Sequence, residues 1–570
     1  MNIRKTALLL LLLVAGVVTA QQKNITLEEI YDGTFRMQYL DRLHSMNNGK
    51  EYAVLNTDRN TGTKTLDVYS YKTGEKVNTL INSSEIDGLD YFIGYTLSAD
   101  ESKALLSTKM RSIYRRSSLG VYYVYDLETK ELVQVAEEAI QEPTFSPDAS
   151  KVAYGLDNNI YIKDLASGTT TQVTTDGAKN KVINGITDWV YEEEFAFVRA
   201  FDWNADGDKI AYIRFDESEV PEFSMDVFGN ELYPSKDTFK YPKAGETNAT
   251  VSLHIYDVTS ADTKAVDLSG FQNYYIPRLE WTPEANVLAV QTTNRKQNDV
   301  NLLFVDGTSG EAKLILSDKD DAYVDITNNL TFLEDNDFIW TSEKDGWNHI
   351  YLYDKDGKLK NQVTQGPWEV TSYYGYDPKS KRVFYQSSEN GSINRGVYSV
   401  KVNGKSKKAL ATEAGTNSAN FSTDFTYFIK SFSDAETPYV FTLNAADDGD
   451  LVRKIKDNQA LKDQFADYVI SEKEFFTLPI NGEELNAYMI KPKDFDPNKK
   501  YPVFMTQYSG PGSQSVANSW SGGNGYWFQM LAQEGYIIVC VDPRGTGLKG
   551  RDFKKMTQKE LGKYEVEDQI

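Results

Sequence analysis

The sequence predicts an all-β propeller of about eight blades, followed by the first elements of an α/β domain. A unit with a polar opening turn and several short strands recurs between residues 47 and 455. Its spacing of about 45 residues suits four short strands per unit. After Leu461 the repeat stops, and strand patterns begin to alternate with a helix pattern.

The repeat is clearest at the opening turn of each unit. Residues 146–154 (SPDASKVAY) recur at 204–212 as NADGDKIAY. Short strands separated by such turns close into a ring in a propeller, which hides the sheet edges, whereas a linear solenoid or a β-sandwich is the alternative. Two segments break the spacing, residues 175–201 and 217–250. Insertions in a repeat array map to loops, often on the binding face.

The C-terminal part begins with a predicted hairpin, because two apolar strands flank Asn481 and Gly482. A strand at 501–507, a helix at 526–533 and a strand at 536–541 follow, which is the pattern of a parallel crossover. No Gly-x-Ser-x-Gly turn occurs in the 570 residues. That turn carries the serine of an α/β-hydrolase, so we expect an incomplete α/β-hydrolase domain that ends before its nucleophile.

Residues 1–20 have the features of a secretory signal peptide. Arg4 and Lys5 precede an apolar run at 7–18 and a small-residue cleavage site at 18–20. A membrane anchor is the alternative, but the run is shorter than the roughly 20 residues that a span needs. We therefore expect an exported bacterial protein, periplasmic or secreted, without a stable membrane span after cleavage. The predicted domains are a signal peptide at 1–20, a propeller at 21–465 and a peptidase domain from 466 to 570.

Composition narrows the classes of ligand. A net charge of -22 opposes nucleic acid, whose phosphates require basic patches. The single cysteine, Cys540, excludes an intrachain disulfide, and three histidines with one cysteine argue against a zinc site. The chain has no glycine-rich phosphate loop. No cofactor is expected.

An acidic segment at residues 188–195 (DWVYEEEF) is the sharpest local feature. Asp188 can cap a short helix, and the three glutamates would lie in its first turns, where the helix dipole favours negative charge. A solvated acidic helix start is the simpler interpretation. The aromatic residues among the acids, however, should bury one side of the helix and fix the carboxylates. Two adjacent fixed carboxylates suit a primary ammonium, which offers three donors and one charge.

This segment and several others resemble the dipeptidyl peptidase IV members of the prolyl oligopeptidase family of serine peptidases. The similarity extends over the mature chain, from the propeller to the start of the hydrolase domain. The matching segments are 184–194 (NGITDWVYEEE), 241–245 (YPKAG), 346–350 (GWNHI), 366–370 (GPWEV), 500–503 (KYPV) and 561–570 (LGKYEVEDQI).

The resemblance assigns roles to particular residues. It implies that Glu193 and Glu194 bind the free amino terminus of the substrate, with Glu192 structural. An arginine ahead of the second unit would contact the substrate carbonyl; the register points to Arg115, with Arg116 as the neighbouring choice. Tyr508 would donate its hydroxyl to the oxyanion. Without the resemblance, such an arginine is more often an exposed charge at the end of a strand. A tyrosine before a glycine-proline turn is most often a packing residue.

The resemblance also implies an order for the catalytic triad, in which the histidine follows the serine and the aspartate. His44, His254 and His349 all lie too early in the chain to be that base. The loop at 542–547 (DPRGTG) is interpreted as structural, a glycine-rich turn in which Asp542 and Arg544 pair locally. The triad and the proline pocket are therefore expected beyond Ile570.

The function that this resemblance implies is release of dipeptides from peptide amino termini, with proline or alanine as the second residue. The fragment alone is expected to be inactive. Two alternatives remain, a prolyl tripeptidyl peptidase and a non-catalytic propeller that binds peptide amino termini. Family members commonly form homodimers through a propeller extension, for which the insertion at 217–250 is the candidate.

Overall fold

The computed structural model describes residues 22–89, 91–334 and 336–570. The predicted signal peptide lies outside these residues. Eight consecutive antiparallel sheets form the propeller, seven with four strands and one with five. The predicted all-β propeller with eight blades is confirmed. None of the helices in the described ranges is long and apolar enough to cross a membrane.

Each blade is built from consecutive strands. Blades one to three contain β1–β4 (Leu43–Ser45, Glu51–Thr57, Lys64–Ser70, Lys76–Asn82), β5–β8 (Gly94–Leu97, Lys103–Ser112, Ser118–Asp126, Leu132–Gln134) and β9–β12 (Gln141–Phe145, Lys151–Leu156, Asn159–Asp164, Thr170–Gln172). Blade four, with its insertion, contains β13–β19 (Val182–Asn184, Phe201–Trp203, Lys209–Asp216, Glu222–Val227, Ser235–Lys240, Thr250–Asp257, Asp262–Ala265). Blades five to eight contain β20–β23 (Tyr275–Trp281, Val287–Thr293, Asp299–Asp306, Ala312–Lys319), β24–β27 (Thr331–Phe332, Phe338–Ser342, His349–Tyr353, Leu359–Gln362), β28–β31 (Val370–Asp377, Arg382–Ser387, Gly396–Lys401, Lys408–Ala411) and β32–β35 (Thr416–Phe421, Tyr427–Ser433, Val440–Ala445, Leu451–Lys456).

The remaining elements are one sheet and several short helices. The sheet contains β36–β39 (Lys473–Ile480, Glu483–Ile490, Val503–Thr506, Ile537–Val541). The α-helices are α1 (Leu27–Tyr31), α2 (Trp189–Glu194), α3 (Gln459–Phe465), α4 (Gly522–Gln533), α5 (Arg551–Lys555) and α6 (Lys563–Gln569), and a 3₁₀ helix covers Ser83–Glu85.

The propeller ring closes by side-chain packing and not by a shared strand. Blades one and eight each come from one continuous segment. Tyr71 of blade one is buried against Ile429 and Leu443 of blade eight. Arg453 donates from Nε to the carbonyl oxygen of Tyr71 at 3.1 Å. Apolar burial thus holds the two ends of the ring together.

Both breaks in the repeat fall in blade four. The first contains α2, and the second contains β16 and β17, which pair only with each other and form a two-stranded ribbon. The base of the ribbon packs on α2, where the rings of Trp189 and Tyr241 lie 4.3 Å apart. The insertions therefore position the acidic helix.

The C-terminal sheet has the order β36-β37-β39-β38. Strands β38 and β39 run parallel and are connected through α4, which confirms the predicted crossover. The predicted hairpin turn is present, with Asn481 and Gly482 both at positive φ (53° and 87°). This is the start of an α/β-hydrolase fold.

Residues 22–37 precede the first blade and pack beside α3 and α4. Ile25 and Phe35 are buried against Leu461, Tyr468 and Tyr526, so this segment joins the C-terminal part. The first blade begins only at Leu43. The repeat pattern says nothing about a segment outside the repeat, and two apolar side chains decide where it packs. The domain boundaries stay predictions.

An ion-pair network joins α5 to the propeller. Lys554 Nζ lies 2.5 Å from carboxylate oxygens of both Asp325 and Glu343, and Lys555 Nζ lies 2.9 Å from Glu343 and 3.2 Å from Asp320. Both lysines are buried. Replacing one partner of such a network would leave an uncompensated buried charge. The network lies where α5 meets blades five and six.

Candidate functional site

Helix α2 is held rigidly by its N-cap and one aromatic residue. The Asp188 carboxylate accepts a hydrogen bond from the Tyr191 backbone N–H at 3.0 Å. Tyr191 is fully buried, and its hydroxyl accepts the backbone N–H of Ile276 at 2.9 Å. The opposite side of the helix leaves Glu193 half-buried and Glu194 exposed. A six-residue helix is stable here because tertiary packing, not propensity, fixes it.

Glu192 has an internal partner and is 2% exposed. Its Oε1 accepts the backbone N–H groups of Arg116 at 2.6 Å and Ser117 at 2.9 Å. Two backbone donors thus hold this buried carboxylate by one of its oxygens. Glu192 therefore ties the turn at 115–117 to α2.

Arg115 makes a bidentate ion pair with Glu193. Its Nε lies 2.9 Å from Oε2, and its Nη2 lies 2.9 Å from Oε1. The neighbouring Arg116 instead donates from Nε to the Glu192 carbonyl oxygen at 3.3 Å. Sequence reasoning left open which arginine faces the glutamates, and the geometry favours Arg115.

Tyr508 projects from the C-terminal part toward these residues. It follows β38 in a loop where Ser509 has a φ of 63°, and its side chain is 78% exposed. Its ring lies over Gly510, where an added Cβ would come within 2.6 Å of the ring. The pKa of Arg115 is raised, chiefly by its hydrogen bond and ion pair with Glu193 and to a smaller extent by the proximity of Tyr508. Arg115 and Glu193 are therefore paired, Glu194 lies on the same helix, and Tyr508 of the C-terminal part is near enough to Arg115 to affect its pKa.

The loop after β39 supports the Tyr508 loop. The Asp542 carboxylate accepts the backbone N–H groups of Ser515 and Val516, both at 2.9 Å. Arg544 donates from Nη2 to Asp568 at 2.7 Å and so holds α6. The two residues have separate structural partners, whereas the sequence suggested that they pair locally.

The histidines and the cysteine lie in structural environments. His349 is buried and shares hydrogen bonds with Thr364 Oγ1 and the Gly366 carbonyl, both at 3.0 Å. His254 bonds to Ser252 Oγ at 2.8 Å on the same strand. Burial raises the pKa of the Cys540 thiol to about 12. Within the ranges that the structure describes, no three His, Cys, Asp or Glu side chains are grouped as metal ligands.

A cavity of about 890 Å³ lies between α2 and the ribbon. It contains Glu217, a residue that sequence reasoning missed because no local pattern marks an acid after a strand as buried. Burial, together with the charge of Asp188, raises the pKa of Glu217 to about 7. Burial also raises the pKa of Asp188 to about 6. Burial therefore favours the protonated, uncharged form of both Asp188 and Glu217, which lie next to the helix that carries the glutamates.

This arrangement predicts that Asp188→Asn stabilises the protein at alkaline pH. Asparagine is an equally good N-cap and carries no charge. Burial raises the pKa of Asp188 from its ordinary 3.8 to about 6 in the folded state, so folding favours the protonated carboxyl. The stabilising contribution of Asp188 is therefore complete below pH 3.8 and is lost as the pH rises through about 6. Thermal unfolding should show no gain at pH 4 and a gain of roughly 1–3 kcal/mol at pH 8. Asp164→Asn is the control, since hydrogen bonds from Ser167 hold the pKa of Asp164 low; an equal gain there would contradict the argument.

Two family models match this chain. The family model described as "Dipeptidyl peptidase IV (DPP IV) N-terminal region" matches residues 98–439, and that of the "Prolyl oligopeptidase family" matches residues 524–570. Dipeptidyl peptidase 4 of Arthroderma otae is 32% identical over 500 residues, which cover 84% of this chain and 64% of the relative. The Trichophyton rubrum dipeptidyl peptidase 4 is 31% identical over 503 residues, with the same coverage of both chains. The chain thus spans less than two thirds of the length of these curated relatives.

A solved structure is similar over nearly the whole chain. The Porphyromonas gingivalis dipeptidyl peptidase 4 has a TM-score of 0.91 and 41% sequence identity, covering 96% of this chain and 78% of that one. At this coverage the similarity includes both the propeller and the C-terminal sheet.

Proposed function

Since the chain belongs to the dipeptidyl peptidase IV family of prolyl oligopeptidase-type serine peptidases, we propose that it recognises the amino termini of peptides for removal of dipeptides with proline or alanine in the second position. The observation that carries this proposal is the pair of carboxylates on α2. Glu193 and Glu194 stand on a rigid helix, beside Arg115 and facing Tyr508.

The substrate amino terminus would be recognised through its positive charge and through its distance from the bond to be cleaved. The ammonium of an unblocked peptide offers three donors to the two carboxylates. Arg115 uses Nε and Nη2 on Glu193, which leaves further N–H donors for a substrate carbonyl. We propose that α2 limits how many residues can precede the scissile bond, so that cleavage follows the second residue.

Catalysis uses Tyr508 and groups that follow it in the family fold. The Tyr508 hydroxyl donates to the oxyanion that forms when serine attacks the carbonyl. Because these 570 residues contain no Gly-x-Ser-x-Gly turn, we propose that they bind amino termini without cleaving them. The product of the complete gene would supply the triad.

Product analysis tests the proposal. The complete gene product is incubated with Gly-Pro-Leu-Ala-Phe, with Gly-Leu-Pro-Ala-Phe and with N-acetylated copies, and the products are identified by mass spectrometry. We expect Gly-Pro from the first peptide and no cleavage of the acetylated copies. Release of Gly-Leu-Pro from the second would instead indicate a tripeptidyl peptidase. If the 570-residue chain binds the first peptide and the complete product cleaves neither, the protein is a binding module.

The wider context of this function is also proposed. The N-terminal sequence supports export to the periplasm or the medium. Three apolar side chains at the tip of the ribbon are highly exposed, at 81%, 89% and 80% for Phe228, Leu232 and Tyr233. Exposed apolar patches of this kind mark protein interfaces. We propose that the ribbon contacts a second copy of the chain in a homodimer.

A further inference from the structure

A second concave site lies on the side of the molecule where blade eight meets the C-terminal part. It is a cavity of about 450 Å³, within the size range of small-molecule sites. Its apolar walls come from α3, α4 and the strands between them, and they include Phe465, Ile470, Ile490, Trp520 and Tyr526. Phe465 packs against both Trp520 and Tyr526, with ring centroids 5.6 and 5.4 Å apart. These ring contacts fix the aromatic wall of the cavity.

Three lysines line this cavity, Lys462, Lys473 and Lys493, and Lys473 is the one beside the amino end of α4. Lys473 Nζ donates to Ser521 Oγ at 2.5 Å and lies 4.9 Å from the centre of the Tyr488 ring. Among the described residues, no carboxylate forms an ion pair with it. Glu436 and Glu472 also line the cavity, but both are exposed. Burial lowers the pKa of Lys473 to about 8, and no nearby acid offsets that effect.

The amino end of α4 opens into the same cavity. Ser521, Gly522 and Gly525 line it, and this 12-residue helix has neither a side-chain cap nor an acid in its first turn. A Cβ added at Gly522 or Gly523 would meet no atom within 4 Å, so the first turn faces open space. Uncapped N–H groups and the positive end of the helix dipole favour an anion.

From these features we infer that the cavity binds a small organic carboxylate with an apolar body. The carboxylate would sit between Lys473 and the amino end of α4, and the body would pack against Phe465, Trp520 and Tyr526. Inorganic phosphate lacks the apolar body that the walls require. The site is independent of the peptide site proposed above, because it uses none of the residues on α2 or near Tyr508.

Octanoate is a suitable probe, and the measurement is titration calorimetry on the 570-residue chain, with the quenching of Trp520 fluorescence as a second signal. We expect saturable binding of one octanoate. Octanamide, which keeps the body but lacks the charge, should bind at least tenfold more weakly, and phosphate should not compete. Equal affinity for octanoate and octanamide, or no binding at all, would overturn the inference.

Three variants assign the site. Lys473→Met removes the charge and Gly523→Asp places a like charge in open space at the helix end; each should weaken octanoate binding at least tenfold. Lys491→Met, whose lysine is already paired with Glu474 at 2.8 Å, should leave it unchanged. Gly523→Asp keeps the test valid if Lys473→Met fails to fold, since acids in a first turn favour helices. Unaltered binding by a folded Gly523→Asp protein would contradict the placement.

Discussion

Glu193→Gln should reduce kcat/KM for Gly-Pro-p-nitroanilide in the complete gene product by roughly 30- to 1000-fold, or about 2–4 kcal/mol of transition-state binding. The substitution keeps the size of the side chain but removes the charge that attracts the substrate ammonium. It also breaks the bidentate pair at 2.9 Å that orients Arg115. The first loss acts on the ammonium and the second on the arginine that contacts the substrate carbonyl, so the effect should exceed that of one neutral hydrogen bond.

The comparison that isolates this role uses a substrate without the amine. Wild type and Glu193→Gln should both cleave the des-amino analogue of Gly-Pro-p-nitroanilide slowly. The difference between them should shrink to the contribution of Arg115 alone, because neither can bind the missing ammonium. Glu128→Gln, at an exposed turn of blade two, is the matched control and should be neutral. Near-normal cleavage of the unblocked substrate by Glu193→Gln would remove the ammonium role.

Tyr508→Phe should lower kcat by about 100- to 1000-fold, equivalent to roughly 2.7–4 kcal/mol, the usual cost of losing one oxyanion donor. The ring and its packing over Gly510 are kept, and only the hydroxyl is lost. KM should change little, because the hydroxyl acts on a charge that exists only in the transition state. Steady-state kinetics of the complete gene product provide both constants.

Two further measurements separate this role from a structural one. Tyr536→Phe, at a partly exposed position just before β39, should leave kcat unaltered. Binding of Gly-Pro to the 570-residue chain should be the same for Tyr508→Phe and wild type. A fall in binding with an unchanged kcat would show that Tyr508 positions the substrate and does not stabilise the oxyanion.

Much of the fold is predictable from the sequence, because a repeated unit imposes its pattern many times. Polar turns such as the one at 146–150 recur ahead of short strands in unit after unit, so an ambiguous strand in one unit can be assigned from the others. The hairpin at Asn481 and Gly482 is equally local, since both residues tolerate positive φ. The segment at 22–37 has no repeat to place it, and its burial against α3 and α4 depends on contacts more than 400 positions distant in the chain.

The candidate site, too, is only partly predictable from the sequence. The motif at 188–195 determines a capped acidic helix with one aromatic face, and the resemblance to a peptidase family assigns its last two glutamates to an amino terminus. Neither composition nor spacing shows that Glu192 and Glu193 have different roles. The difference arises because successive side chains point in different directions around the helix. Glu192 turns toward the backbone of Arg116 and Ser117, and Glu193 pairs with Arg115.

The sequence by itself determined the propeller, the start of the hydrolase fold, the family and the residue types that suit an ammonium. Tertiary structure alone decided that Arg115 and not Arg116 faces Glu193, that Tyr508 approaches them from the other part of the chain, and that Asp188 and Glu217 share a buried cavity. The physical reason is the separation along the chain between the groups that interact. Turns and strand alternation arise from neighbouring residues, whereas ion pairs and desolvation depend on groups that only the closed ring brings together.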